Sequence, residues 1–255
     1  MKLHYRELGQ GKPLMILHGL FGTLDNWQSM AKRFAEHYHV YLVDMRNHGR
    51  SGHSHDFDYN LMAEDLLEFV NDHQLEQPYV IGHSMGGKAA MKFALQNPDK
   101  VGKLIVVDIS PKAYPVHHDQ IIKGLQAVDL ASLENRQQAD EQLARYVAED
   151  DVRLFLLKNL YRTEDGGFGW RVNLKAIDEN IDLIGAAIES DTPFRNPALF
   201  IRGAKSKYIK LEDQYEYIEH LFPNVEIETI QNAGHWVHAE APDALYELVV
   251  KFLEQ

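Results

Sequence analysis

The 255-residue sequence contains no cysteine, which excludes disulfides, thiolate metal sites and a cysteine nucleophile. Positive charge is scarce. Against 26 Lys and Arg stand 38 Asp and Glu, for a formal net charge of -12, and no basic run interrupts the chain. Such a balance argues against nucleic acid or an anionic membrane as a partner, since both need a basic face. No apolar run approaches the roughly 18 residues of a membrane span. Met1 to Leu8 passes straight into strand-like alternation without the apolar stretch of a signal peptide, so a soluble cytoplasmic protein is expected. Internal repeats and low-complexity segments are also lacking. The 45% of apolar residues suffice for a substantial core, and the length fits one large α/β domain with an insertion.

Within that domain the stretch Gly82-His83-Ser84-Met85-Gly86 stands out. Tyr79-Val80-Ile81 before it is a short apolar run behind Pro78, and Gly87 to Gln96 after it has helix-forming composition that stops at Asn97-Pro98. Ser84 therefore sits where a strand becomes a helix. A turn that sharp strains the serine backbone and brings neighbouring backbone close, so the positions two before and two after must lack a side chain. Gly82 and Gly86 meet that demand. The same geometry lifts the hydroxyl clear of the sheet and puts the Met85 amide at a helix N-terminus, where it can meet a developing oxyanion.

Around this elbow the chain alternates strand and helix signals. Leu3 to Leu8 is an expected edge strand, with Gly9-Gln10-Gly11 as a hairpin turn into Leu14-Met15-Ile16-Leu17. The loop His18-Gly19-Leu20-Phe21-Gly22 follows, and Leu20 is the candidate second oxyanion donor. Val40 to Asp44 reads as a buried strand, and Asp44, Arg46 and His48 in the polar loop after it are assigned a structural role. Met62, Leu66, Phe69 and Val70 recur at helical spacing, and Leu104 to Val107 is a further apolar strand closed by Asp108. Strands apolar throughout, separated by helices, indicate a mostly parallel sheet covered on both faces.

From 111 to 195 the rhythm becomes helical, as in Ile121, Ile122, Leu125 and Val128, with no clear strand; this predicts an all-helical cap between core segments 1–110 and 196–255. Val152 to Leu160 is expected to be a buried helix of that cap, and Asp165-Gly166-Gly167 a turn. The core resumes at Ala198-Leu199-Phe200-Ile201, with a helix expected from Leu211 to Leu221. Val225 to Ile230 alternates as an edge strand should, and Leu245, Leu248, Val249, Phe252 and Leu253 mark a final helix.

A serine hydroxyl is a weak nucleophile at neutral pH and needs a histidine, backed by an acid. Of fourteen histidines, His235 is preferred, because Gly234-His235 lies in a loop after the last strand, at the elbow's end of a parallel sheet; His238 is the alternative. The acid is expected to be Asp108, which closes the strand next after the elbow helix, with Glu212 and Asp213 as rivals. The histidine pairs His37 and His39, His53 and His55, and His117 and His118 each lack an obvious third ligand nearby, so neither metal nor cofactor is expected.

The elbow, the loop at His18 to Gly22, the Asp44 to Gly52 loop, Gly87-Lys88, Trp170-Arg171-Val172-Asn173 and Gly234-His235 together resemble the α/β-hydrolases over nearly the whole chain, in detail the small bacterial esterases of the YbfF type. The resemblance implies a carboxylester or thioester hydrolase acting on a small-molecule substrate. One departure stands out: many α/β-hydrolases carry the acid after the strand ending here at Ile201, and Ser206 occupies that place. Dehalogenases and epoxide hydrolases of this fold need an aspartate nucleophile, which Ser84 replaces. A carbon-carbon bond hydrolase or lyase on the same triad, and a non-catalytic ligand-binding scaffold, remain as alternatives.

Overall fold

The computed structural model describes residues 1–115 and 118–255. His117, one of the paired histidines, lies outside the described residues. Nine strands and ten α-helices are found among the described residues. In chain order they are β1 (Tyr5–Leu8), β2 (Lys12–Leu17), α1 (Gln28–Phe34), β3 (Tyr38–Val43), α2 (Tyr59–Asp72), β4 (Tyr79–His83), α3 (Met85–Gln96) and β5 (Lys103–Val107). Then come α4 (Asp119–Ala127), α5 (Arg136–Leu143), α6 (Asp150–Leu157), β6 (Leu160–Arg162), β7 (Phe168–Trp170), α7 (Leu174–Glu179) and α8 (Ile181–Gly185). The chain closes with β8 (Ala198–Gly203), β9 (Val225–Ile230), α9 (Val237–Glu240) and α10 (Pro242–Leu253).

Seven strands form one sheet in the order β1-β3-β2-β4-β5-β8-β9, parallel except for β1. Strand alternation sends successive side chains to opposite faces, and both faces are buried. Met15, Leu17, Val80, Leu104 and Val106 pack toward α2 and α3, while Leu14, Ile16, Ile81, Ile105 and Val107 pack toward α1 and α10. The first of these clusters continues into Leu125, Leu143, Leu156 and Ile177, so the segment between β5 and β8 shares the core of the α2–α3 face.

Three expectations change. Gly9-Gln10-Gly11 does not close a hairpin: β1 pairs antiparallel with β3, on the far side from β2, which itself pairs parallel with β3 and β4. The 111–195 segment is not all helical, because β6 and β7 form an antiparallel hairpin around Asp165-Gly166-Gly167, and the predicted Val152 to Leu160 helix ends at Leu157. Arms of three residues give too short an alternation to read from sequence. The Leu211 to Leu221 helix shrinks to a π-helical stretch at Gln214–Ile218 flanked by turns.

In the parallel register His83 pairs with Val107 and Val107 with Ile201. The residues that leave these strands, Ser84 and Asp108, therefore emerge side by side at the carboxyl edge of the sheet. There Ser84 N–H donates to the Val107 carbonyl (3.1 Å) and Asp108 N–H to the Ile201 carbonyl (2.8 Å).

Candidate active site

Ser84 has φ 53° and ψ -119°, a region that costs a non-glycine residue on the order of 1–3 kcal/mol. The surrounding packing enforces it. A Cβ on Gly82 would lie 2.3 Å from the Gly86 carbonyl oxygen, and one on Gly86 would lie 2.5 Å from that of His18. Ser84 caps α3 and Met85 is its first residue, so the Met85 amide has no intrahelical acceptor.

Ser84 Oγ lies 3.1 Å from His235 Nε2, and His235 Nδ1 lies 2.8 Å from Asp108 Oδ2. His235 belongs to the loop between β9 and α9, so three side chains from three strand ends meet as the sequence predicts. The buried Asp108 carboxylate is saturated: Gly203 N–H donates to Oδ1 at 3.0 Å, and Ser206 Oγ donates to Oδ2 beside His235. Ser206, in the loop after β8, thus hydrogen-bonds to Asp108 across the neighbouring strand end. The rivals are engaged elsewhere. Buried Asp213 pairs with Lys112 Nζ at 2.6 Å, and Glu212 sits 3.8 Å from Lys210 Nζ at the surface. His238 stacks on Trp27 with ring centroids 4.5 Å apart, and burial pushes it down to about 3.

Two further rings hold His235. Tyr208 stacks on it at 4.1 Å, and His83 Nε2–H donates to its backbone carbonyl at 2.8 Å. Desolvation keeps His83 well below the ordinary histidine range, so it stays a neutral donor. His83 was readable only as the variable position of the elbow; its partner lies 152 residues away.

The loop bearing Leu20 is a turn closed by Gly22 N–H to the Gly19 carbonyl at 2.9 Å. His18 Nδ1–H donates to the same carbonyl at 2.8 Å, and its Nε2 accepts from Met45 N–H at 3.0 Å, which fixes the neutral tautomer. Burial agrees, lowering His18 to about 4. Because a trans peptide sets N–H opposite C=O, pinning the Gly19 carbonyl aims the Leu20 amide the other way. Phe21 is left-handed (φ 58°), and its N–H donates to His48 Nε2 at 3.1 Å, while His48 Nδ1–H donates to the Arg46 carbonyl. The polar loop after β3 is otherwise braced within itself and against its neighbours: Asp44 accepts from the Arg50 amide of the same loop and from the Leu24 amide, and buried Arg46 forks onto Asp65 of α2 at 2.6 and 2.9 Å.

A cavity of about 290 Å³ opens over Ser84 and His235, walled by Trp27, Trp236 and by Val152, Phe155 and Leu156 of α6. A second, of about 60 Å³, shares Leu20, Ser84 and Tyr208 with it and runs past Met85 to Ile184 and Lys88 without reaching His235. Among the described residues no group of three or more His, Cys, Asp or Glu side chains is placed to hold a metal ion, and no helix is long and apolar enough to cross a membrane.

An elbow serine, a histidine and an acid at the carboxyl edge of a mostly parallel sheet define the class as α/β-hydrolase. Comparison with known proteins agrees. The family described as alpha/beta hydrolase fold matches residues 12–129. A putative esterase/lipase of Haemophilus influenzae is 42% identical over 95% of this chain and 83% of its own length. Esterase YbfF of Escherichia coli is 36% identical over 94% of this chain and 92% of its own. Among solved structures, a marine microorganism esterase superposes with a TM-score of 0.96 at 44% identity, covering 98% of this chain and 99% of that one. The chain belongs to the α/β-hydrolase family, as a hydrolase of the esterase and lipase type.

Proposed function

We propose that this protein hydrolyses carboxylic esters of short to medium acyl chain through an acyl-enzyme on Ser84. The observation that carries the reading is the continuous hydrogen-bonded series Ser84 Oγ, His235 Nε2, His235 Nδ1, Asp108 Oδ2. His235 takes the Ser84 proton as Oγ attacks the ester carbonyl, Asp108 keeps the proton of Nδ1 in place, and the Leu20 and Met85 amides receive the oxyanion. His235 then gives its proton to the departing alcohol, and water repeats the sequence on the acyl-enzyme.

Because the leaving oxygen must take its proton from His235, the alcohol belongs in the larger cavity that His235 lines, and the acyl group in the smaller one beside Met85. Residues 111–195 act as a cap over both. Thioesters such as acyl-CoA are the closest variant, since the same attack serves either bond. The esterase and lipase relatives support esters as the substrate class.

A panel of p-nitrophenyl esters and acyl-CoAs, run on the wild type and on Ser84→Ala, tests this. Ester turnover that falls with acyl length and vanishes in Ser84→Ala is expected. Turnover persisting in the folded variant would refute the mechanism, and activity confined to acyl-CoAs would replace the substrate class.

A further inference from the structure

Phe21 follows the proposed oxyanion donor Leu20 and is gripped from two directions. Its N–H is held by His48 of the loop after β3. Its carbonyl accepts a hydrogen bond of 2.6 Å from Asn159 Nδ2, which comes from the 111–195 insertion, between α6 and β6. Asn159 is fully buried. Its own N–H donates to the Leu156 carbonyl at 3.0 Å, its carbonyl accepts from Arg171 N–H at 2.9 Å, and Nδ2 also reaches the Leu156 carbonyl at 3.2 Å. Two carbonyls therefore fix which way the amide faces, because turning it over would set Oδ1 against both. Oδ1 itself has no hydrogen-bond partner. A buried, unpaired amide oxygen is costly, and an apolar side chain would avoid that cost; it would lose the tie to Phe21 and the longer bond to the Leu156 carbonyl, which still accepts from the residue's own N–H.

We propose that Asn159 is a positioning residue for the oxyanion loop: it locks the Leu20-Phe21 turn to the insertion, so that the hole is set jointly by the core, through His18 and His48, and by the insertion. The inference rests on the proposed role of the Leu20 amide. It also joins substrate binding to catalysis, because Leu156, bonded to Asn159 through its carbonyl, belongs to the α6 wall of the larger cavity. A leaving group seated against α6 bears on the element that holds the oxyanion loop.

The test uses Asn159→Leu, which has as many side-chain heavy atoms but no donor, and Asn159→Ser should the bulkier leucine fail to fold. Steady-state kinetics on a p-nitrophenyl ester are combined with inhibition by an alkyl trifluoromethyl ketone, which adds to the serine and carries an oxyanion. Loss of a whole oxyanion donor costs about 10²–10³ in kcat; misplacing one should cost roughly tenfold, with KM within about twofold. The inhibition constant of the ketone should rise by the factor by which kcat/KM falls. A purely structural role would lower the urea midpoint and leave kcat and the ketone affinity of the folded fraction unchanged, and that result would overturn the proposal, as would a rise in KM alone. If the wild type neither turns over esters nor binds the ketone, the esterase reading itself fails and takes this one with it.

Discussion

Asp108 leaves β5 with a left-handed φ of 52°, a conformation disfavoured for any residue with a Cβ, and spends both carboxylate oxygens on holding its neighbours. Donors from Gly203 and Ser206 fix it in place, so that the proton of His235 stays on Nδ1 and Nε2 is left to accept from Ser84. Asp108→Asn should keep the fold and lower kcat by about 10⁴ through the wrong histidine tautomer. Asp213→Asn removes an ion pair with Lys112, two residues that line neither cavity, and should change kcat far less. Near-normal kcat in the first variant and collapse in the second would move the acid to the later loop. Ser84 and Asp108 were legible in the sequence because each directly follows an apolar parallel strand, and His235 because Gly234 precedes it in a loop at the same edge. His18, His83 and Asn159 were not. Their side chains hydrogen-bond to backbone groups, and backbone partners leave no mark on residue type.

Elements, rather than residues, meet at Lys88 on α3. Its buried ammonium donates to the carbonyls of Lys112 (2.9 Å), Ala186 (2.5 Å) and Gly185 (3.4 Å), the two ends of the inserted segment, and lies 4.9 Å above the Tyr114 ring. Burial pushes it from 10.5 down to about 7. Between those two values the unfolded chain holds the proton and the folded one has released it, so this group makes stability rise with pH from about 7 to 10.5; below 7 both forms are charged and the full cost of burying the cation is present. Urea unfolding of the wild type should gain stability over that range relative to Lys88→Met, and parallel curves for the two proteins would contradict it. Element boundaries were harder to read from sequence than this contact suggests. Long amphipathic helices such as α2 and α10 were recovered from their stripes, whereas β6 and β7 are too short to show a period. Neither could the pairing of β1 with β3 be seen, because Gly9-Gln10-Gly11 suits a hairpin equally well and only the antiparallel edge in the folded sheet decides.

For the whole molecule, a mostly parallel sheet was implied by apolar strands separated by helices, and both faces are covered as such strands require; the order of the strands was not. The net charge of -12 acts at this scale too. It should slow the approach of anionic substrates at low salt, where the Debye length is about 30 Å, and hardly at all near 0.15 M, where it is about 8 Å. A carboxylate-bearing aryl ester should thus gain in kcat/KM as salt is added, beside a neutral ester that stays flat. A fall with salt would reveal a positive mouth that overrides the global field.

If Ser84 is the nucleophile, it reacts covalently with a phosphonylating reagent, and labelling reads this out. Folded protein is treated with a fluorophosphonate, digested and mapped by mass spectrometry. One adduct is expected, on the peptide containing Ser84, absent from Ser84→Ala and formed far more slowly in His235→Gln. An adduct on another residue, or ester turnover without any adduct at Ser84, would contradict it.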